Sequence, residues 1–227
     1  MSRLVIFFLV LVTLGLSLLL AFLGLATVHS NLLGWFLLIS GLIYFFGVIV
    51  VYWVRGIRFW RPKAGGEAVK EERNDWSFWF IVVGMIATFY LPPIEFSFSP
   101  ALIPRTVWIQ IAGLFIIFLG SILFIWARRV LGKFYSGHVS VIEGQQLVQI
   151  GPYRLIRHPA YAGYILISIG LALGYSSLAG FVSILSLLLP SVIYRIHIEE
   201  HLLAEHFGEQ WIEYCQRVPA FFPRLVR

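Results

Sequence analysis

The stretch YAGYILISIGLALGYSSLAGFVSILSLLLPSVIY, Tyr161–Tyr194, decides the fold because it carries no charged side chain over 34 residues. A straight helix of that length would be about 51 Å long, whereas the hydrocarbon layer of a bilayer is only about 30 Å thick. The segment is therefore predicted to cross the membrane twice, as a helical hairpin. We expect the reversal at Gly174-Tyr175-Ser176-Ser177, where glycine and serine favour a turn.

Four further apolar segments precede this hairpin, and each has about the 20 residues that a membrane-spanning helix needs. The third is expected to end at Pro92-Pro93, because proline lacks the N–H that a continuing helix requires. We therefore predict an all-α, polytopic membrane bundle with six transmembrane helices. The four segments are Leu4–Val28, Leu32–Val54, Trp76–Ile94 and Val107–Ala127.

Composition and charge support this class. Apolar residues make up 59% of the chain and charged residues only 12%, and the single cysteine, Cys215, leaves no internal disulfide to form. With six spans, all basic residues except Arg105 fall on the side of both termini, so the positive-inside rule places both termini in the cytoplasm. The net charge of +6 is then a topology signal with some attraction to membrane lipids, and nucleic acid is not an expected partner.

The chain is predicted to divide at a charged stretch. Residues 61–75, RPKAGGEAVKEERND, contain a glycine pair and many charges, which is typical of a solvated linker. We therefore expect an N-terminal transmembrane hairpin over residues 1–60, this cytoplasmic linker, and a core over residues 76–227. A cleaved signal peptide is the alternative for Leu4–Val28, although the apolar core of such a peptide is usually about 7 to 15 residues long.

The first chemically informative stretch is GQQLVQIGPYRLIRHPAYAGY, Gly144–Tyr164. Pro159 suits the first position of the fifth helix, whose free amides can receive a carboxylate or phosphate. Tyr153 and Tyr161 bring aromatic faces that suit a purine or a cation. The alternative interpretation is an interfacial belt of aromatic and basic residues, which occurs at many membrane surfaces.

The second informative stretch is YRIHIEEHLLAEHFGEQWIEYCQRVPAFFP, Tyr194–Pro223. Helical spacing puts Arg195 and Glu199 on one face, with Glu200 beside them. A surface ion pair is the alternative interpretation. However, Arg195 is the first charge after the apolar hairpin, where an unpartnered guanidinium is costly and a binding role is favoured. Gly208 is expected to end or kink the helix.

A zinc site has to be considered in the same helix. The letters HIEEH, His197–His201, match the H-x-x-E-H pattern of inverted zinc proteases. That chemistry also needs a third ligand and an open coordination position, and only Glu205, His206, Glu209 and Glu213 follow as candidates. We therefore expect no metal.

Together the two stretches resemble the isoprenylcysteine carboxyl methyltransferase family. The first reads G-P-Y-R-x-x-R-H-P-x-Y-x-G from Gly151 to Gly163, and the second reads R-x-x-x-E-E-x-x-L-x-x-x-F-G from Arg195 to Gly208. The resemblance covers about residues 107–227. It extends to a superfamily that includes phospholipid N-methyltransferases and, more distantly, membrane sterol reductases.

The resemblance implies a binding site for S-adenosyl-L-methionine on the cytoplasmic face. It also implies that Arg195 binds the methyl acceptor, and that Arg195, Glu199 and Glu200 form the catalytic group. Where the eukaryotic enzymes often carry a histidine, this chain has Gln145 and Gln146. The residues implied for the cofactor are Gln145, Gln146, Leu147, Val148, Tyr153, Arg157, His158, Pro159, Ala160, Tyr161 and Glu199.

The implied reaction is O-methylation of the carboxylate of a prenylated cysteine or a similar lipid-linked acid. N-methylation of a phospholipid or other small lipid is the first alternative, with Glu200 or His197 as the base. A nicotinamide-dependent membrane reductase, a zinc protease and a membrane scaffold without activity are further alternatives. The expected partners are membrane lipids and the lipid-linked or prenylated acceptor, and no obligate protein partner is indicated.

Overall fold

The structure is a computed structural model that describes residues 3–55, 68–71, 77–100, 102–135, 140–142 and 144–221. Within these ranges the chain forms eight α-helices and two short strands. Most of the predicted linker lies outside the described residues. In chain order the elements are α1 (Arg3–Thr27), α2 (Leu33–Arg55), β1 (Ala68–Glu71), α3 (Ser77–Phe98), α4 (Val107–Leu131), β2 (Ser140–Ile142), α5 (Pro159–Gly174), α6 (Leu178–Ser183), α7 (Leu189–Phe207) and α8 (Glu209–Arg217).

The helical membrane class is confirmed. In the described part of the chain, five helical segments are long and apolar enough to cross a bilayer, the last of them Leu178–Phe207. The apolar helix α5 has 16 residues, fewer than the usual minimum of about 17, so the sixth span stays a prediction. The predicted reversal is confirmed, because α5 ends at Gly174 and α6 begins at Leu178.

Two local predictions need correction. Helix α3 does not end at Pro92-Pro93 but continues to Phe98 with both prolines inside it. The missing hydrogen bonds are offset by tertiary contacts beyond the prolines, where the Glu95 carboxylate accepts hydrogen bonds from Ser177 Oγ and Ala179 N at 2.5 and 2.9 Å. In addition, part of the predicted linker, Ala68–Glu71, forms the strand β1.

The chain folds into two compact units that alternate along the sequence. The first comprises Met1–Pro62, Ala87–Phe115 and Gly170–Phe181, and the second comprises Lys63–Ile86, Ile116–Ile169 and Val182–Arg227. The division of the chain into a hairpin, a linker and a core stays a prediction.

In the first unit, α1 and α2 pack with their backbones in contact. A Cβ atom added at Gly24 or Gly41 would lie within 2.5 Å of backbone atoms of the other helix, so the small residues allow the close approach.

The turn after α1 is hydrogen-bonded to the reversal after α5. Thr27 Oγ1 lies 3.0 Å from the Tyr175 hydroxyl, and Asn31 Nδ2 donates to the Gly174 carbonyl at 2.9 Å.

In the second unit, the strands β1 and β2 pair in antiparallel fashion. The β2 residue Val141 is fully buried and packs with Leu202 and Ile198 of α7.

A five-residue π-helical turn in the second unit, Ile184–Leu188, leads into α7. It precedes Pro190, whose missing N–H interrupts the regular helical bonding. Leu188, Val192 and Ile196 then form a buried cluster with residues of α3 and α5.

Helices α4 and α5 meet in this unit at a pair of glycines. A Cβ added at Gly163 would lie 2.8 Å from the Gly120 carbonyl oxygen, and one added at Gly120 would lie 2.8 Å from the Gly163 carbonyl oxygen. Since backbone atoms cannot move aside as a flexible side chain can, neither position has room for alanine. This contact holds α5, which carries Tyr161 and Tyr164, against α4.

We expect Gly163→Ala to destabilise the protein by about 1–3 kcal/mol, because overpacking forces the two backbones apart. Thermal unfolding in detergent measures this effect. The matched control is Gly47→Ala in α2, where an added Cβ meets nothing within 4 Å. Equal melting temperatures for the two variants would contradict the close packing of α4 on α5.

Candidate functional site

The second unit contains a cavity of about 230 Å³. A single water needs only about 10–15 Å³ of such space, so the cavity has room for a small organic molecule. Its walls come from α3, the end of α4, the segment after β2, and helices α5, α7 and α8. Most of the residues predicted for the cofactor or acceptor line it, namely Gln145, Gln146, Leu147, Val148, Tyr153, Arg157, His158, Ala160, Tyr161, Arg195 and Glu199.

Pro159 and Glu200 are not among the lining residues. Pro159 is the first residue of α5, where it fixes the start of the helix that carries Ala160 and Tyr161. Glu200 accepts hydrogen bonds from Arg157 Nε at 2.9 Å and lies 2.8 Å from His158 Nε2. The structure therefore places Glu200 behind two lining residues.

Arg195, Tyr161 and Glu199 form a hydrogen-bonded chain on the cavity wall. Arg195 Nε donates to the Tyr161 hydroxyl at 2.8 Å, and that hydroxyl donates to Glu199 Oε2 at 2.9 Å. The i, i+4 spacing on α7 brings both charged side chains to the same wall, as the sequence predicted. Arg195 is only 5% exposed, and a buried guanidinium requires partners of this kind.

The segment between Tyr153 and His158 is held in place by α8 and the residues that follow this helix. Tyr214 of α8 donates from its hydroxyl to the Tyr153 carbonyl at 2.6 Å. Arg157 Nη1 donates to the Val218 carbonyl at 2.7 Å, and the Arg157 backbone N–H donates to the Pro219 carbonyl at 2.9 Å. The two polar stretches that precede and follow the uncharged hairpin are thus in direct contact.

Burial affects the chemistry of the aromatic wall. It raises the pKa of Tyr153 well above the usual range, and the negative charge of Glu199 raises it further. Burial raises the pKa of Tyr214 in the same way. Both phenols therefore stay protonated at physiological pH and present neutral aromatic faces.

Glycines position two parts of the site. Gly151 precedes Tyr153 with φ +59°, and a Cβ there would lie 2.9 Å from Val130 Cγ2. Gly208, at φ +54°, ends α7 as predicted and lets the chain turn into α8. Trp211 and Tyr214 of α8 then reach the cavity.

Sequence reasoning missed about half of the lining residues. Helical spacing could have predicted some of them, because residues three or four positions apart lie on the same helix face. Tyr164 follows Ala160 by four residues, and Leu202 and Leu203 follow Glu199 by three and four. The α3 residues had no signal in the sequence, because a uniformly apolar helix does not show which face lines a site. The missed residues are Ile81, Val82, Met85, Leu131, Phe134, Tyr135, Tyr164, Leu202, Leu203, Phe207, Trp211 and Tyr214.

The histidines of the HIEEH segment point away from this site. His197 and His201 are both exposed, and His201 Nδ1 lies 3.4 Å from Glu205 Oε1 on the same exposed face. Among the described residues, no three His, Cys, Asp or Glu side chains are grouped as a metal site requires.

The chain is similar in sequence and fold to known membrane methyltransferases. Residues 108–210 match the phospholipid methyltransferase family. Protein-S-isoprenylcysteine O-methyltransferase B of Arabidopsis thaliana is 33% identical over 131 residues, which are 57% of this chain and 66% of that protein. The solved structure of the eukaryotic intramembrane Ras methyltransferase ICMT, at 24% identity, superposes with a TM-score of 0.60 over 92% of this chain and 73% of that one. The chain thus resembles the isoprenylcysteine carboxyl methyltransferases in sequence and shares their fold.

Other similar proteins have different names. The nickel-cobalt-cadmium resistance protein NccN of Alcaligenes xylosoxydans xylosoxydans is 36% identical over 121 residues, or 52% of this chain and 53% of that protein. The chain therefore matches just under two thirds of one relative's length and about half of the other's. Together with the site geometry, the matches confirm the resemblance seen in the two motifs, and the structural likeness shows the isoprenylcysteine carboxyl methyltransferase fold.

Proposed function

We propose that the protein is an integral membrane methyltransferase that transfers a methyl group from S-adenosyl-L-methionine to the carboxylate of a prenylated cysteine or a similar lipid-linked acid. One observation carries the proposal. The buried Arg195 and the Glu199 carboxylate, joined by the Tyr161 hydroxyl, share a cavity with an aromatic and apolar wall. Arg195 offers a cation for an anionic acceptor, and Glu199 offers an anion for a cationic cofactor.

The cavity residues fit this cofactor by their chemistry. Tyrosine faces such as that of Tyr153 suit the purine and can also face a cation, and Glu199 supplies a carboxylate for the sulfonium. Gln145 and Gln146 can both donate and accept hydrogen bonds. When bound, the cofactor supplies an electrophilic methyl group on a positively charged sulfur.

The reaction needs orientation more than proton transfer. The sulfur–methyl bond breaks as an oxygen–methyl bond forms, so one negative and one positive charge disappear and S-adenosylhomocysteine and a methyl ester remain. An ionised carboxylate is already nucleophilic, and positioning with water exclusion supplies the rate. In our proposal, Arg195 holds the acceptor through a planar fork of N–H groups.

Glu200 supports the site from behind in this scheme. It is held by Arg157 and His158, so we assign it the positioning of these two lining residues. The sequence expectation placed Glu200 in the catalytic group and named it as a base only for an amine acceptor. A positioning role for Glu200 favours an acceptor that needs no base.

A phospholipid or small-lipid N-methyltransferase is the second candidate, and the match of residues 108–210 to the phospholipid methyltransferase family favours it. The two candidates differ in their pH dependence. An amine acceptor must lose a proton before it reacts, so its turnover should rise with pH towards the pKa of the amine. A carboxylate acceptor, with a pKa near 4, should give a flat profile between about pH 6 and pH 8.

The orientation of the protein is a further part of the proposal, with both termini and the site on the cytoplasmic side. In a Cys215→Ala background, a cysteine placed at Ser97 should react with a membrane-impermeant maleimide only from the outside. A cysteine placed at Ala68 should react only from the cytoplasmic side. Labelling in the reverse pattern would show that both termini lie outside the cytoplasm and would contradict the proposed orientation.

Calorimetric titration of the purified protein tests the cofactor assignment. We expect S-adenosyl-L-methionine and S-adenosylhomocysteine to bind in a one-to-one ratio, and NADPH not to bind. Binding of NADPH alone would indicate a reductase on the same fold, and binding of neither compound would indicate a scaffold without activity. Either of these results would overturn the proposal.

A further inference from the structure

The second unit also has a more open groove of about 430 Å³ at the end of α4. Its lining residues are Phe124, Ile125, Arg128, Arg129, Gly132 and Tyr135. Tyr135 belongs to the wall of the main cavity as well. The groove therefore lies beside the proposed active site and shares the Tyr135 side chain with it.

The two arginines of the groove stand at the end of an exposed apolar helix surface. Arg128 and Arg129 are both exposed and stand in the last turn of α4. One to three turns earlier, Phe118, Ile122 and Ile125 are 61%, 46% and 47% exposed, as expected of a span that faces lipid tails. The phosphates of a bilayer lie where such an apolar surface ends.

The groove also fixes the direction of one guanidinium. The Arg128 guanidinium carbon lies 4.9 Å from the centre of the Tyr135 ring, within the range of a cation–π contact. The Phe124 and Tyr135 rings also meet edge to face with centroids 6.5 Å apart, so Phe124 helps to hold the tyrosine ring in place. Ile125 offers an apolar surface in the same groove for an acyl chain.

We infer that this groove binds one anionic phospholipid, with Arg128 and Arg129 holding the headgroup phosphate and Ile125 contacting an acyl chain. Charge complementarity and the combination of an apolar wall with a basic end argue for a lipid as the occupant. Arginine presents a fork that matches phosphate oxygens in pairs. This inference does not depend on the proposed function, since it concerns a separate site.

Native mass spectrometry of the detergent-purified protein tests the inference by counting bound lipids. The probes are short-chain phosphatidylglycerol, phosphatidylcholine with the same acyl chains, and inorganic phosphate. We expect a first phosphatidylglycerol to bind preferentially and the double variant R128Q/R129Q to bind it at least about tenfold more weakly. The variant R128K/R129K, which keeps the charge, should fall between the two.

The matched control is R154Q/R217Q, which removes two exposed arginines outside the groove. It should bind phosphatidylglycerol as the unaltered protein does. Equal losses in both double variants would mean general attraction to a basic surface, and unchanged binding in R128Q/R129Q would mean that the lipid sits elsewhere. Binding of inorganic phosphate with the same dependence on these arginines would identify a free anion as the occupant. Any of these three outcomes would overturn the inference, and none requires methyl transfer to be measured.

Discussion

Replacing Arg195 by lysine should lower the turnover of the proposed methyl transfer by about 100-fold, because misplacement of a reacting group by about 1 Å has a cost of that order. Arg195 uses Nε to bind the Tyr161 hydroxyl. A lysine ammonium is a single point charge and cannot hold both Tyr161 and an acceptor carboxylate in a planar fork. Steady-state kinetics with a prenylated cysteine acceptor measures the change.

The affinity for S-adenosyl-L-methionine should stay nearly unchanged in Arg195→Lys, since lysine keeps the positive charge beside Tyr161. Arg154→Lys, at an exposed position outside the cavity, is the matched control and should retain normal turnover. Normal turnover in Arg195→Lys would remove the acceptor role. Parallel loss of cofactor affinity and rate would assign Arg195 to the cofactor, together with Glu199.

Glu199→Gln should weaken binding of S-adenosyl-L-methionine by roughly 10- to 100-fold, the usual effect of losing an interaction with a charged partner. The amide oxygen of glutamine can still accept the hydrogen bond that Glu199 receives from Tyr161. The variant therefore removes the charge while the wall keeps its shape. Calorimetric titration of each purified protein measures the affinity.

S-adenosylhomocysteine provides an internal control for this variant, because it lacks the positive charge of the sulfonium. Its affinity should change little in Glu199→Gln. Glu205→Gln, at an exposed site on the same helix, should leave the affinity for both compounds unchanged. If Glu199→Gln weakened both compounds equally, Glu199 would act through the shape of the pocket and not through its charge.

The sequence predicted the hairpin correctly because the thickness of a bilayer limits the length of a membrane-spanning helix. An uncharged run of 34 residues exceeds the thickness of a bilayer, so the reversal near Gly174 had to exist. The same reasoning placed Arg195 and Tyr161 on neighbouring helices. Their contact through a hydroxyl required only that the hairpin be short and that both helices end at one face.

Other features depended on tertiary contacts that no local pattern contains. Helix α3 continues through Pro92-Pro93 because Glu95 is bound by Ser177 and by Ala179 at the start of α6, and these residues are more than 80 positions from Glu95. Glu200 was expected in the catalytic group beside Glu199, yet its position on α7 directs it to Arg157 and His158. The contribution of α3 to the cavity, through residues such as Met85, likewise follows from packing.

The central claim is that the cavity transfers a methyl group to a lipid-linked carboxylate, and product analysis tests it most directly. The purified protein is incubated with S-adenosyl-L-methionine carrying a labelled methyl group and with N-acetyl-S-farnesylcysteine as the acceptor. We predict that the label enters the lipid extract and that mild base releases it as methanol, as expected of a methyl ester. Label that resists base, or label that appears only when an amine lipid is supplied, would contradict the claim, as would bound cofactor without any transfer.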